Sequence, residues 1–203
     1  MFKSIGAILG ATAFLAVAAT AVSAQGVVMN SAETINKGNI KLALFPVVLF
    51  GKNGSDSSLG VAGRAGYGIA PRFDIEAKAA VFDGLKYFGA EIEYWLLQGK
   101  TVNVSAALGG HITDSKWGAD SSGLDTTLLV STVPRKNLEF YGGLKLAFDS
   151  FKNSDHRATL AHLVPGLEYR ISQNLDVLAE VGIALNDNAR SYASVGLAFY
   201  ISH

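Results

Sequence analysis

Side chains able to do chemistry are sparse in this chain, and the densest group of them is acidic. Glu91 and Glu93 lie two residues apart, and Glu76 and Lys78 repeat that spacing one segment earlier. Alternate side chains of an extended chain share a face, so each pair points one way. Clustered carboxylates can serve general acid–base chemistry or hold a hard cation. With bases close by, the commoner outcome is a set of charges that satisfy one another. His162 sits on the polar side of its segment, where it can titrate near neutral pH or simply hydrogen-bond. His111, with Asp114 close in sequence, falls at the base of a loop, and Asp155-His156 falls in another polar loop. Both read as solvated loop groups. There is no Cys, which excludes disulfides, thiolate metal sites, Cys nucleophiles and a lipidated N-terminal Cys. Gly109-Gly110 and Gly142-Gly143 lack the context of a phosphate loop and read as relief for close packing or bends. No catalytic set, cofactor site or metal site is legible.

The elements that carry these residues have a period of two. Val195, Leu197, Phe199 and Ile201 share one face, opposite Gly196, Ala198, Tyr200 and Ser202. Leu175, Val177, Ala179, Val181 and Ile183 stand opposite Asp176, Leu178, Glu180, Gly182 and Ala184. Leu163, Leu167, Tyr169 and Ile171 alternate with His162, Gly166, Glu168 and Arg170. The same holds for Leu138, Phe140, Leu144, Leu146 and Phe148 against Glu139, Tyr141, Lys145 and Asp149. Strict alternation marks two-faced strands. Such segments fall near 38–50, 58–70, 72–82, 85–97, 100–112, 123–133, 137–149, 158–171, 174–185 and 191–202. Most match the roughly 9–11 residues of a tilted membrane-crossing strand or exceed it, against about 5–6 for a soluble one.

Composition points the same way. The chain has 203 residues, enough for one domain, with zero formal net charge. Its charged fraction of 17% is below the roughly 25% of soluble domains. Mean hydropathy is +0.27. No basic patch or tail is present, so nucleic acid is not an expected partner.

Short turns at Ala70-Pro71-Arg72, Gln98-Gly99-Lys100, Pro134-Arg135-Lys136-Asn137 and Ser172-Gln173-Asn174 alternate with mostly longer polar loops, Asp83-Gly84 being the short exception. That asymmetry belongs to bacterial outer-membrane barrels, with the turns facing the periplasm. The predicted fold is an all-β, closed, antiparallel, up-and-down transmembrane barrel of about ten strands. A soluble lipocalin-like barrel would place the apolar face inward. The near absence of charge on the apolar faces, the small residues beside charges on the polar faces, and aromatic residues toward segment ends (Tyr67, Phe73, Tyr94, Phe140, Phe148, Tyr169, Phe199) favour apolar-out. The lumen would then hold Arg64, Lys78, Lys145 and Arg170 against Glu76, Glu91, Glu93, Glu139, Glu168 and Glu180.

The N-terminus reads as a signal peptide over 1–24, with Lys3, an Ala-rich apolar stretch, and cleavage after Val22-Ser23-Ala24 leaving Gln25 first. Residues 25–36 show no period and read as a periplasmic lead-in; 37–203 form the barrel.

The last segment, from Ser194 through Val195, Leu197, Phe199 and Ile201 to His203, resembles the terminal strand of small bacterial outer-membrane barrels of the broad OmpA- and OmpX-like class. In that class this strand ends in an aromatic residue read by the assembly machinery; here the final position is His203. The resemblance implies an outer-membrane location. Its expected partners are lipid, lipopolysaccharide, periplasmic chaperones and the barrel assembly machinery. It carries no functional residues. Outer-membrane proteases of the omptin type use Asp-x-Asp and Asp-x-His pairs, a pattern that the adjacent Asp155-His156 does not match. Trp117, in the Thr113–Ser122 loop, could contact a ligand or lipopolysaccharide or pack on the rim. The readings are therefore a non-enzymatic barrel of structural, surface-interaction or minor transport role, a narrow ion or solute channel, or the soluble barrel.

Overall fold

The computed structural model describes residues 27–52, 56–116, 119–152 and 155–202. The signal sequence with its Ala24–Gln25 junction, Trp117 and His203 lie outside them. Ten strands follow one another: β1 (Ile40–Leu49), β2 (Ser58–Ala70), β3 (Phe73–Phe82), β4 (Leu85–Gln98), β5 (Val102–Ser115), β6 (Ser121–Arg135), β7 (Leu138–Phe151), β8 (Arg157–Ser172), β9 (Leu175–Ala184) and β10 (Tyr192–Ile201). Every strand pairs antiparallel with its sequence neighbour. β1 closes on β10, from Ile40 opposite Ile201 to Leu49 opposite Tyr192. Closure leaves no sheet edge, the condition under which a sheet can sit in lipid with every ladder amide paired.

The polarity is the reverse of a soluble barrel. Leu44 and Leu124 are each 61% exposed, while Lys41, Glu76 and Glu93 are 1% exposed. The aromatics Tyr67, Tyr94, Phe140, Phe148, Tyr169 and Phe199 also face outward.

Strands β5 and β6 run further than the alternation marks, to Ser115 and from Ser121. The loop between them shrinks accordingly. At another connection on that side, Gly84 adopts φ +68 in the tight β3–β4 turn, a conformation that favours glycine.

The inner face has two regions. Toward the loop end, Phe45, Val47, Leu49, Phe82, Leu85, Tyr87 and Tyr192 form an apolar cluster. Cross-strand glycines make space for large rings: a Cβ on Gly182 would fall 1.9 Å from the Tyr192 ring, and one on Gly166 2.2 Å from the Tyr141 ring. Gly109 and Gly143 similarly admit Glu91 and Leu129, whereas a Cβ on Gly110 would meet only the Gly123 carbonyl at 3.5 Å and Gly142 faces open space. Toward the turn end the interior is charged, and a second charged group, His111 with Asp125 and Asp149, lies in the loop half of β5–β7.

The largest departure from expectation is residues 27–36. They are not a free lead-in outside the barrel. Val27, Val28, Met29 and Ala32 are at most 4% exposed, because the chain turns at Gly38 (φ +84) and runs back up the lumen. It makes one isolated bridge, Lys37 with Gly68. Gly66 and Gly68 are what let it pass: added Cβ atoms would meet Ile35 at 2.4 Å and the Asn36 carbonyl at 2.1 Å.

Candidate functional site

The charged half of the lumen is built by residues two apart on adjacent strands. Glu76 and Lys78 on β3 face Glu91 and Glu93 on β4, in register with Arg64 on β2. Arg64 Nε lies 2.6 Å from Glu76 Oε2, and its Nη2 lies 2.6 Å from Glu91 Oε1. Lys78 donates to the other Glu91 oxygen. One guanidinium thus bridges two carboxylates, the fork geometry suited to buried pairing. Lys41 on β1 adds a cation 3.7 Å from Glu76 Oε1. These five strand residues from β2–β4 were legible as candidates; Lys41 was not.

The remaining candidates disperse. Lys145 Nζ reaches Asp125 Oδ1 at 3.9 Å. Glu139, Glu168 and the half-exposed Arg170 sit near the turn end, where Arg170 pairs with Asp176 at 3.3 Å and reaches Glu168 at 4.0 Å. Glu180 forms no salt bridge among the described residues. It accepts from Tyr141 Oη at 3.0 Å and from Tyr192 Oη.

The N-terminal segment completes this network. Consecutive amides of Val28 and Met29 donate to the two Glu180 oxygens at 3.1 and 2.6 Å. Met29 has φ 45, the left-handed conformation that lets successive N–H groups form a nest around an anion. Arg64 donates to the Val28 carbonyl. Asn30 bridges charges of both signs: its Oδ1 accepts from Lys41 Nζ at 2.6 Å, and its Nδ2 donates to Glu93 Oε2 at 2.5 Å. The Ile35 amide donates to Asp74 Oδ2 at 2.7 Å. Asp74, Glu76 and Glu93 each bring an oxygen within 4.8 Å of the others. That oxygen cluster is of a kind that suits a hard cation, but here Asn30, Ile35, Arg64 and Lys41 supply its neighbours. Glu33 accepts from Asn103 Nδ2 at 3.1 Å. Burial pushes its carboxyl above the ordinary value, partly offset by Arg170 and Asn103.

His111 requires a correction. It is not a solvated loop residue but an inward side chain of β5, 5% exposed. Its Nδ1 lies 2.9 Å from Asp125 Oδ2, and its Nε2 lies 2.8 Å from Asp149 Oδ1, close enough for an ion pair but not aligned as a hydrogen bond. Tyr87 stacks on its ring at 5.2 Å and donates to Asp125. All three side chains of this group are buried, His111 at 5%, Asp125 at 2% and Asp149 at 3% exposed. His162 is buried with Nε2 3.1 Å from the Arg190 carbonyl. His156 packs on Phe151, and Asp155 is exposed.

Among the described residues, ten buried carboxylates (Asp74, Glu76, Glu91, Glu93, Asp125, Glu139, Asp149, Glu168, Asp176, Glu180) face four buried cations (Lys41, Arg64, Lys78, Lys145). A cavity of about 140 Å³ opens at the turn end beside Glu33, Lys41, Glu168 and Arg170.

No family model and no curated protein matches the sequence. Solved structures do. An outer membrane channel from Pseudomonas putida F1 superposes with TM-score 0.59 at 9% identity, over 87% of this chain and 100% of that one. The NanC porin superposes with TM-score 0.50 at 10% identity, over 78% and 98%. The fold is that of the outer-membrane β-barrels. At these identities the likeness carries architecture and nothing finer.

Proposed function

We propose that this protein is an integral outer-membrane β-barrel without enzymatic activity, whose lumen is closed by its own side chains and N-terminal segment, and whose role is structural, surface-interacting or minor transport. One observation carries the reading: a closed sheet with an apolar exterior and a charged, buried interior. Such a surface is stable only in a nonpolar surrounding, since exposed apolar area costs about 25 cal/mol per Å² in water. A lipocalin-like binding barrel needs the opposite polarity. Export by the signal sequence, assembly by chaperones and the barrel machinery, and contact with lipid and lipopolysaccharide belong to the same reading.

The test is fractionation with gel mobility. The protein should co-sediment with outer membranes, and the unheated sample should migrate differently from the boiled one. A protein recovered soluble from periplasm, with one mobility, would overturn the reading. A narrow channel is the second reading, favoured by the excess of lumen carboxylates and by the names of the channel and porin that share the fold.

A further inference from the structure

The geometry points to the N-terminal segment as a withdrawable plug, with the barrel conducting small cations when it is out. This rests on the outer-membrane reading above.

The segment is inside the barrel but is not part of its wall. β1 closes on β10 without it, and its single bridge to the sheet lies at its base, Lys37 with Gly68. Leaving therefore breaks no strand pairing. Its polar contacts are mostly to ionisable side chains: Glu180, Arg64, Lys41, Glu93 and Asp74. Water hydrates all of these groups well, so the vacated seat would fill with solvent rather than collapse as an apolar core would. Nothing among the described residues donates to Asp74 Oδ1 even with the plug seated.

The plug also contributes to the apolar seal. Val27 and Met29 belong to the same buried cluster as Phe45, Tyr87, Leu178 and Tyr192, while Val28 and Ala32 pack on the opposite wall with Leu129 and Tyr141. Its extended residues thus bridge the lumen. Removing it empties the charged half and takes two side chains out of the outer seal.

The sign of the selectivity follows from the donors that leave. In place the segment gives four N–H donors to carboxylates, from Val28, Met29, Ile35 and Asn30. With them gone, ten buried carboxylates remain against four buried Lys and Arg cations, with His111 beside Asp125 and Asp149 and the half-exposed Arg170 beside Asp176 and Glu168. Carboxylates still outnumber these cationic groups, so water and mobile cations fill the vacated seat and anions are disfavoured.

The experiment is planar-bilayer recording of the purified full chain under a KCl gradient, against a variant lacking residues 27–36, with the heat-dependent gel shift scoring folding of each. The intact chain should be closed with brief openings. The variant should conduct steadily, with a reversal potential of the sign that favours K⁺ over Cl⁻. A folded variant that stays closed, or one that prefers Cl⁻, overturns the plug or its selectivity. If neither chain shows the gel shift, the outer-membrane reading itself has failed. Should only the deletion fail to fold, Asn30→Cys in the intact chain decides, because the sequence has no other thiol. A membrane-impermeant methanethiosulfonate added on the turn side should modify Cys at that position and hold the barrel open; a thiol that never reacts in the folded barrel overturns the proposal.

Discussion

Arg64 ties three parts of the lumen together, since it joins β2 to Glu76, to Glu91 and to the Val28 carbonyl. Arg64→Met leaves two carboxylates with fewer partners in a desolvated site. Removing one partner of a buried pair costs about 3–5 kcal/mol, so the urea midpoint of the barrel in lipid vesicles should fall by that equivalent. Glu91→Gln should cost less in the Arg64→Met background than alone, because the two share one interaction. A change in midpoint no larger than that of an exposed Lys86→Met control would mean the pair is hydrated. Glycine contacts are equally specific. Gly182→Ala drives a methyl into the Tyr192 ring, an overpacking worth about 1–3 kcal/mol. Pairing it with Tyr192→Ala should recover part of that loss.

At the scale of the element, each strand must satisfy two solvents at once. β1 shows this sharply: Leu42, Leu44 and Val48 face out while Lys41, Phe45, Val47 and Leu49 face in. Leu44 lies near the middle of β1. A charge at the bilayer midplane costs about 2–4 kcal/mol, so Leu44→Arg should lower stability in vesicles by that amount. The same change at Ser57, in the β1–β2 loop, should leave it unchanged. If the outer face were hydrated instead, Leu44→Arg would be neutral or would improve solubility.

For the whole molecule, closure is the condition on which everything else rests. β1 and β10 lie at opposite ends of the chain, so their pairing is the most sequence-distant contact in the barrel and the costliest to form in loop entropy. A chain ending at Asn188 lacks β10 and leaves β1 and β9 with unpaired amides, each costing several kcal/mol in lipid. It should give no heat-dependent gel shift and should be degraded in cells, whereas replacing Asp155-His156 by Gly-Gly should not alter the shift. Truncated protein that still shows the shift would contradict a closed sheet.

Strand number, strand faces and closed antiparallel order were readable from the sequence alone. Alternation is a local property, and lipid imposes it on every crossing segment. The core charge cluster was readable for the same reason: Arg64, Glu76, Lys78, Glu91 and Glu93 lie on neighbouring strands joined by short connections, so local register brings them together. Lys41 is not legible in the sequence because both faces of β1 are largely apolar and give no clean alternation. His111 was misplaced because the alternation through Gly109 weakens at Gly109-Gly110; carrying it on would have put Asn103, Ser105, Ala107, His111, Thr113 and Ser115 on one face. The seat of residues 27–36 could not be read at all. Those residues have no period of their own, and their partners Asp74, Arg64 and Glu180 come from three strands spread across the chain. What fills a lumen depends on which distant walls close around it, and that is fixed only when β1 meets β10.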